Sequence, residues 1–470
     1  MADSHTANPM SLEEHLKREN ELLLEPLAGF RKLDRIAHRL QLLDKSDSLT
    51  RRVPWWPVIS ILGTFSAGKS TFLNRYLQSD LQMTGNQAVD DRFTVICYSD
   101  DGKPRTLPGS ALDADPRFPF YRISGDIDEV AAGEGGRINT FLQIKTCNSE
   151  LVRGKILLDS PGFDADSQRT ATLRITDRII DLSDLVLVFF DARHPEPGAM
   201  RDTLQHLVAD TINRDDASKF LFVLNQIDVT AKEDNPEDIV AAWQRALASC
   251  GLTAGRFLRI YDEQSAAPMP DAALARRFKA KKDEDMTEIM RRFRDVGIER
   301  AYRIVDMLSS SARILAGEQG VGQVQGWLQR WRSRVLLFDA LLLMAALGLV
   351  AAGLLLAQDK TLALLSTLVS GSVTGWVVLG GFLIIAATAH FSVRNMAAGQ
   401  ILAKIPVAAN QPLRMDVRRA FRANTRWFRS IFSTRPKGWH MFSRKEIDRI
   451  VESREPMVQK LNDRFTRPSG

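Results

Sequence analysis

Residues 63–70 of this 470-residue chain read Gly-Thr-Phe-Ser-Ala-Gly-Lys-Ser, with the spacing G-x-x-x-x-G-K-[ST]. The apolar run Pro57 to Leu62 precedes it, and a helical pattern begins at Thr71. Strand, glycine-bearing turn and helix in that order make a phosphate-binding loop. Such a loop commits the chain to an α/β fold, a mostly parallel sheet with helices on both faces. The glycines let the backbone curl so that successive N–H groups point at phosphate oxygens. Lys69 reaches the β- and γ-phosphates, and the Ser70 hydroxyl is placed to ligate Mg²⁺. The expected triphosphate site is Gly63, Ser66, Ala67, Gly68, Lys69, Ser70 and Thr71.

Two later motifs bear on the base and the metal. Lys155 to Gly162 reads as a buried strand ending in D-x-x-G. Asp159 there is expected to hold Mg²⁺ through a water, and the Gly162 N–H to sense the γ-phosphate. Apolar runs Leu185 to Phe190 and Lys219 to Leu224 follow, the second ending in Asn225-Gln226-Ile227-Asp228. Asp228 can accept two hydrogen bonds from guanine N1 and N2, while Asn225 ties this loop to the phosphate-binding loop. Adenine offers an acceptor at N1, so a carboxylate argues for guanine.

The order GTFSAGKST, DSPG, NQID, with a strand Arg256 to Tyr261 after it, resembles the dynamin superfamily of large GTPases, and within it the EHD branch. Gly85 to Phe93 matches the end of that branch's switch I in length, and Gln168-Arg169 the pair in its switch II. Arg259-Ile260-Tyr261 resembles its last G-domain strand. The likeness spans roughly residues 20 to 315, and no EH domain follows. It implies a GTPase using Mg²⁺ and GTP, with Ser66 helping Lys69 and the metal to neutralise developing charge. It also implies stimulation when two G domains meet face to face.

Three departures stand out. Val89 and Asp90 replace the Thr pair of switch I. Either Thr94 takes the role of the missing threonine, or Asp90 supplies an oxygen to the metal, or hydrolysis is poor. Gln226 replaces the lysine whose stem packs on the base, which weakens base affinity. Phe163 stands where small signalling GTPases carry a water-orienting Gln. The EHD branch uses ATP despite an N-K-x-D motif, so ATP remains the alternative to GTP.

Val335 to Ala357 is a 23-residue apolar run whose one charge, Asp339, lies near its start. As a helix it is about 34 Å long, enough to cross a bilayer. A second segment, about Thr361 (or 363) to Phe391, follows the short connector Gln358-Asp359-Lys360, so a two-helix transmembrane hairpin is expected. Gly371 with Gly375, and Gly348 with Ala352, are small-residue pairs that would let helices approach closely. Arg330, Arg332 and Arg334 precede the hairpin, interleaved with Trp327 and Trp331, which suit an interfacial belt. Residues 394–470 hold 17 Lys and Arg against 6 Asp and Glu. By the positive-inside rule both ends, with the GTPase domain and the tail, lie on the cytoplasmic side.

A basic segment beside a membrane implies anionic headgroups rather than nucleic acid, for which no reading motif is present. Phe421, Trp427, Phe428, Ile431 and Phe432 recur at helical spacing, either as an interfacial helix or as a stalk helix packing on protein. Leu27, Phe30, Leu33, Ile36, Leu40 and Leu43 stripe an N-terminal helix below Pro26. Met286, Ile289, Phe293, Val296, Val305, Leu308 and Leu315 stripe another. Neither stripe can be buried alone. The division expected is stalk helices to residue 50, GTPase domain 51–270, stalk 271–334, hairpin 335–391 and basic tail 392–470, with Ala266 to Pro270 as a hinge. Cys97, Cys147 and Cys250 lack metal spacing and read as core thiols. His194 reads as a loop residue, and MADSHTANPM as no signal peptide. The functional expectation is a membrane-anchored, oligomerising GTPase that remodels or tethers bilayers, or a slow membrane-bound switch recruiting a protein partner.

Overall fold

The computed structural model describes residues 11–465 apart from 65, 84–91, 101–102, 115–117, 119, 121–122, 131–132, 163–174, 177–178, 195–216, 233–235, 250–254, 270, 370–371, 409–411 and 434. Val89, Asp90, Phe163, Gln168, Arg169, Cys250 and Gly371 therefore lie outside the described residues.

Among the described residues eight strands form one sheet: β1 (Val58–Gly63), β2 (Phe93–Tyr98), β3 (Arg105–Pro108), β4 (Leu142–Cys147), β5 (Ile156–Asp159), β6 (Leu185–Asp191), β7 (Phe220–Asn225) and β8 (Arg256–Arg259). Their spatial order is β3-β4-β2-β5-β1-β6-β7-β8. Pairing is parallel except between β2 and β5 and between β3 and β4. The central strands β1, β5, β6 and β7 are buried along their whole length, as the apolar runs imply for a sheet covered on both faces. Alternation assigns the two sides. Leu185, Leu187 and Phe189 join a cluster with Phe72 and Phe293, whereas Val186, Val188 and Phe190 join one with Trp243. This is the α/β architecture read from the phosphate-binding loop, extended by long helices.

The chain forms two compact units: Met1–Leu24, Arg51–Ile304 and Leu461–Gly470 make one, Glu25–Thr50 and Val305–Lys460 the other. In the first, the long helix Ala272–Ala316 is fastened to the sheet by a buried ion pair. Arg300 Nη1 meets Asp184 Oδ1 at 2.9 Å, and Asp184 Oδ2 accepts the Val58 N–H at the start of β1. Of Ala266 to Pro270, expected to be a hinge, the described residues 266–269 make contacts with the sheet-bearing unit. Ala267 N–H donates to Asp228, and Ala266 and Met269 pack on the Trp243 cluster.

In the second unit, helix Leu24–Arg39 lies so close to Ala272–Ala316 that a Cβ on Gly29 would stand 2.6 Å from Leu308 Cδ2. Pro26 lies in the first turn of this helix, which begins at Leu24, where its missing N–H has no partner to lose. Leu40 and Leu43, assigned to the same helix from their spacing, lie beyond its end at Arg39; both stay buried after the chain reverses through Gln41 at φ 60°.

The apolar region also differs from a plain hairpin. It forms helices Val321–Leu356, Gln358–Val369 and Val373–Leu402. Gln358-Asp359-Lys360 is the first turn of the middle helix, not a connector. Ser372 starts the third by accepting the Gly375 N–H. Close approach occurs at Gly353, facing Thr361, and at Gly375, whose Cβ would sit 2.3 Å from the Thr367 carbonyl oxygen. Gly348 faces open space, so its pairing with Ala352 brings no helices together. Trp331 belongs to no interfacial belt: it is 1% exposed, its Nε1 donating to the Arg394 carbonyl. The aromatic tail segment is not one helix either. Helix Val417–Asn424 buries Phe421, and Trp427, Phe428 and Phe432 stand exposed after it.

Candidate functional site

All the motif residues gather at the carboxyl edge of the sheet, where β1 has β5 on one side and β6 on the other. That change of direction is where open α/β sheets form their ligand crevice. β1 ends at Gly63, β5 at Asp159 and β7 at Asn225.

Glycine is required twice in the loop. A Cβ on Gly63 would stand 2.7 Å from the Phe189 carbonyl oxygen of β6. Gly68 takes φ 80°, and a Cβ there would meet Asn225 Nδ2 at 2.3 Å. Ser66 also takes positive φ, at 58°. Left-handed residues on either side of Ala67 give the chain the reversal that turns amides inward as an anion cradle. The helix Lys69–Leu77 then starts with Gly68 as its N-cap, so no side chain caps the first amides of Lys69, Ser70 and Thr71. A triphosphate fits this arrangement: uncapped helix amides, a cradle that a Cβ would fill, and a buried ammonium. The metal fits Ser70 and Asp159, a hydroxyl and a carboxylate that suit Mg²⁺.

Lys69 lies back across its own loop, its Nζ donating to the carbonyls of Gly63 (3.0 Å) and Thr64 (3.1 Å). Burial pushes this amine down to about 8, an effect that Asp159 partly offsets. Asn225 Nδ2 donates to the Ala67 carbonyl at 2.9 Å, and Gln226 Nε2 to that of Ser66 at 2.7 Å. The N-x-x-D loop is thereby tied twice to the phosphate-binding loop. Gln226 spends its amide on this tie, at φ 63°. Asp228 is buried in the turn Ile227–Lys232, and its Oδ2 accepts the Ala267 N–H at 2.7 Å. Burial raises its pKa, which that hydrogen bond and Arg193 partly offset. Arg193 is itself held by a two-pronged contact with Asp191 at the end of β6. His194 stands in the turn after β6, its N–H on the Asp191 carbonyl.

Thr94, one candidate for the role of the missing switch I threonine, is buried in the sheet. It lies inside β2, in register with Asp159 of β5, is 1% exposed, and accepts Gln143 Nε2 at 2.9 Å. Gly162 follows β5, half-buried. Sequence reasoning missed Gln82. Its Nε2 donates to Asp159 Oδ2 at 2.6 Å, and its Oε1 accepts from Lys145. Asn74 grips the Gln82 backbone by both its N–H and its carbonyl, which holds the amide against Asp159. The polar pair four positions apart, Gln78 and Gln82, gives no such signal; only the long-range fold brings Lys145, Gln82 and Asp159 together.

Residues 59–227 match the dynamin family model. The chain is also similar to EH domain-containing protein 3 of Rattus norvegicus, 24% identical over 180 residues, 37% of this chain and 31% of that protein. EH domain-containing protein 1 of Homo sapiens is 24% identical over 179 residues with the same shares. The chain thus spans about a third of the length of these curated relatives (31%). Among solved structures it is similar to a component of an oligomerised bacterial dynamin pair described as sensing and tethering membranes. The TM-score is 0.34 at 14% identity, covering 97% of this chain and 75% of that one. The family-model match spans the sheet from β1 to β7 and ends at residue 227, before the apolar helices begin.

Proposed function

We propose that this chain is a membrane-anchored, dynamin-like GTPase that couples G-domain pairing to bilayer remodelling or tethering. The observation that carries the reading is the double tie of Asn225 and Gln226 to the phosphate-binding loop. It supports a site in which Asp228 reads the base and Lys69 the phosphates, since it joins their two loops at one edge of the sheet. Ser66 and Lys69 neutralise charge on the phosphates, Asp228 reads guanine N1 and N2, and Gly162 senses the γ-phosphate. Mg²⁺, held by Ser70 and Asp159, supplies positive charge against the phosphate oxygens when bound. Hydrolysis adds water to the γ-phosphorus and releases the β-phosphate oxygen, giving GDP, phosphate and a proton. Lys69 must leave the carbonyls of Gly63 and Thr64 for the phosphates, so binding exchanges neutral acceptors for charged ones.

Membrane anchoring rests on the helices Val321–Leu356 and Val373–Leu402, both long and apolar enough to span a bilayer. Their apolar side chains face outward; Leu355 is 87% and Ile384 67% exposed, contact that water disfavours and lipid does not. The basic tail supports an arrangement with both ends on the cytoplasmic side, against anionic headgroups. Trp427, Phe428 and Phe432 are set beside this base, where Arg394 donates to the carbonyls of Arg426 and Arg429.

A second reading is a slow switch that recruits a partner. The confinement of Thr94 within β2 favours it, because a threonine only 1% exposed presents no hydroxyl to the γ-phosphate. Detergent phase partitioning of the full-length protein with labelled GTP tests the anchored reading. The protein should enter the detergent phase and retain GTP; recovery in the aqueous phase, or failure to retain a purine triphosphate, refutes it.

A further inference from the structure

The amino-terminal edge of the sheet carries a second charged feature. A cleft of about 240 Å³ opens where β1 and β5 begin, lined by Pro57 and Lys155 just before those strands. β1 separates it from the phosphate-binding loop, a distance of about 20 Å at the usual rise per residue. Lys155 is joined in the lining by Arg153, Arg294, Arg300 and Arg464, against one carboxylate, Glu19. Every one of these residues belongs to the sheet-bearing unit.

Two of these five cations have ion-pair partners and three have none among the described residues. Arg153 pairs with Glu150, and Arg300 with Asp184. Among the described residues Lys155, Arg294 and Arg464 have no ion-pair partner. Burial alone pushes the Lys155 amine below the usual lysine range, with no carboxylate offsetting it. Burial also raises the Glu19 carboxyl, an effect that the indole N–H it accepts from Trp56 and the nearby Arg153 partly offset. Two further groups in the lining are buried without hydrogen-bond partners: Arg300 Nη2 and Asn20 Oδ1. Arg300 is 6% exposed, with Nε on the Pro54 carbonyl and Nη1 on Asp184, so one edge of a nearly enclosed guanidinium is left over. Leaving such a group unsatisfied is costly, and folded proteins seldom do so without a ligand or water to meet it. The Asn20 amide carries donors as well as an acceptor and can present either end.

We propose that this cleft binds a small phosphate-bearing anion through Lys155, Arg294, Arg300 and Arg464, separately from the triphosphate site. Guanidinium forks and a partly desolvated ammonium converging from different elements suit a dense, multivalent anion better than a single carboxylate. The volume lies below the range usual for larger ligands, which restricts the occupant to a compact phosphate compound or one lipid headgroup. Bound there, it would join the N-terminal segment at Asn20, the sheet at Lys155, the long helix at Arg294 and the C-terminal helix at Arg464.

Pyrophosphate titrated calorimetrically into full-length protein in detergent tests this, with Lys69→Ala removing binding at the loop after β1. The Lys69→Ala protein should still bind pyrophosphate, and adding Lys155→Gln should weaken that binding about tenfold or more, the loss of one charged hydrogen bond. Arg464→Gln, at the exposed rim, should also weaken it if Lys155→Gln disturbs folding. Retention of GTP by the Lys155→Gln protein reports that the sheet is intact. Displacement of pyrophosphate by nanodiscs containing a phosphorylated phosphatidylinositol, but not by phosphatidylcholine alone, identifies a headgroup as the occupant. Displacement by neither identifies a free phosphate compound. No pyrophosphate binding by Lys69→Ala, or equal binding with and without Lys155→Gln and Arg464→Gln, overturns the proposal.

Discussion

In the proposed function Lys69 is the residue on which the chemistry turns, and its environment makes a pH prediction. Buried, it titrates at about 8 rather than 10.5 in the empty loop. Phosphates favour its charged form, so they raise this value and binding takes up a proton. Affinity is therefore full below the free-state value and falls as pH rises through it. Between pH 7 and pH 8.5 GTP affinity should fall about fourfold by linkage, and Lys69→Arg should flatten the profile. A flat wild-type profile would show that the lysine is not so displaced. Asp228 makes the second prediction. Asp228→Ala should remove the preference for GTP over ATP in competition binding, because the acceptor proposed for guanine N1 and N2 is lost. An unchanged preference would remove this residue from base recognition. The positions of Lys69, Asn225 and Asp228 were legible because they follow from short-range chain geometry at strand ends. Gln82 was not, because its meaning comes from Asn74, Lys145 and Asp159, three residues far apart in sequence.

At the scale of elements, glycine contacts separate helix packing that matters from small residues that merely occur. Gly375→Val would drive a side chain into the Thr367 carbonyl, whereas Gly348→Val enters open space. In detergent melts the first should cost about 1–3 kcal/mol, and the second should stay within about 0.5 kcal/mol. Equal effects would mean that the three apolar helices pack otherwise. The Arg300–Asp184 pair is the corresponding device for the sheet. Asp184→Asn leaves a buried guanidinium uncompensated and should destabilise by about 3–5 kcal/mol, read from denaturant midpoints. Apolar runs gave the strands β1, β5, β6 and β7 directly, since fully buried strands are apolar along their length. The interruption after Val369 was hidden because hydropathy continues across it; Ser372, which caps the next helix, was the signal. Trp331 misled for a related reason: beside arginines an indole looks interfacial, yet here Arg394 stacks on its ring inside the fold.

For the whole molecule the central claim is that nucleotide turnover depends on chains meeting on a bilayer. The fold supplies a nucleotide edge on one compact unit and outward-facing apolar helices on the other. Nothing in the sequence alone joins those two facts into a mechanism; pairing is a property of many chains. The direct measurement is GTP turnover per chain against the surface density of full-length protein in liposomes containing anionic lipid. Turnover per chain should climb steeply with density and disappear in Lys69→Ala. A low rate that stays constant with density, or turnover that survives Lys69→Ala, would contradict it.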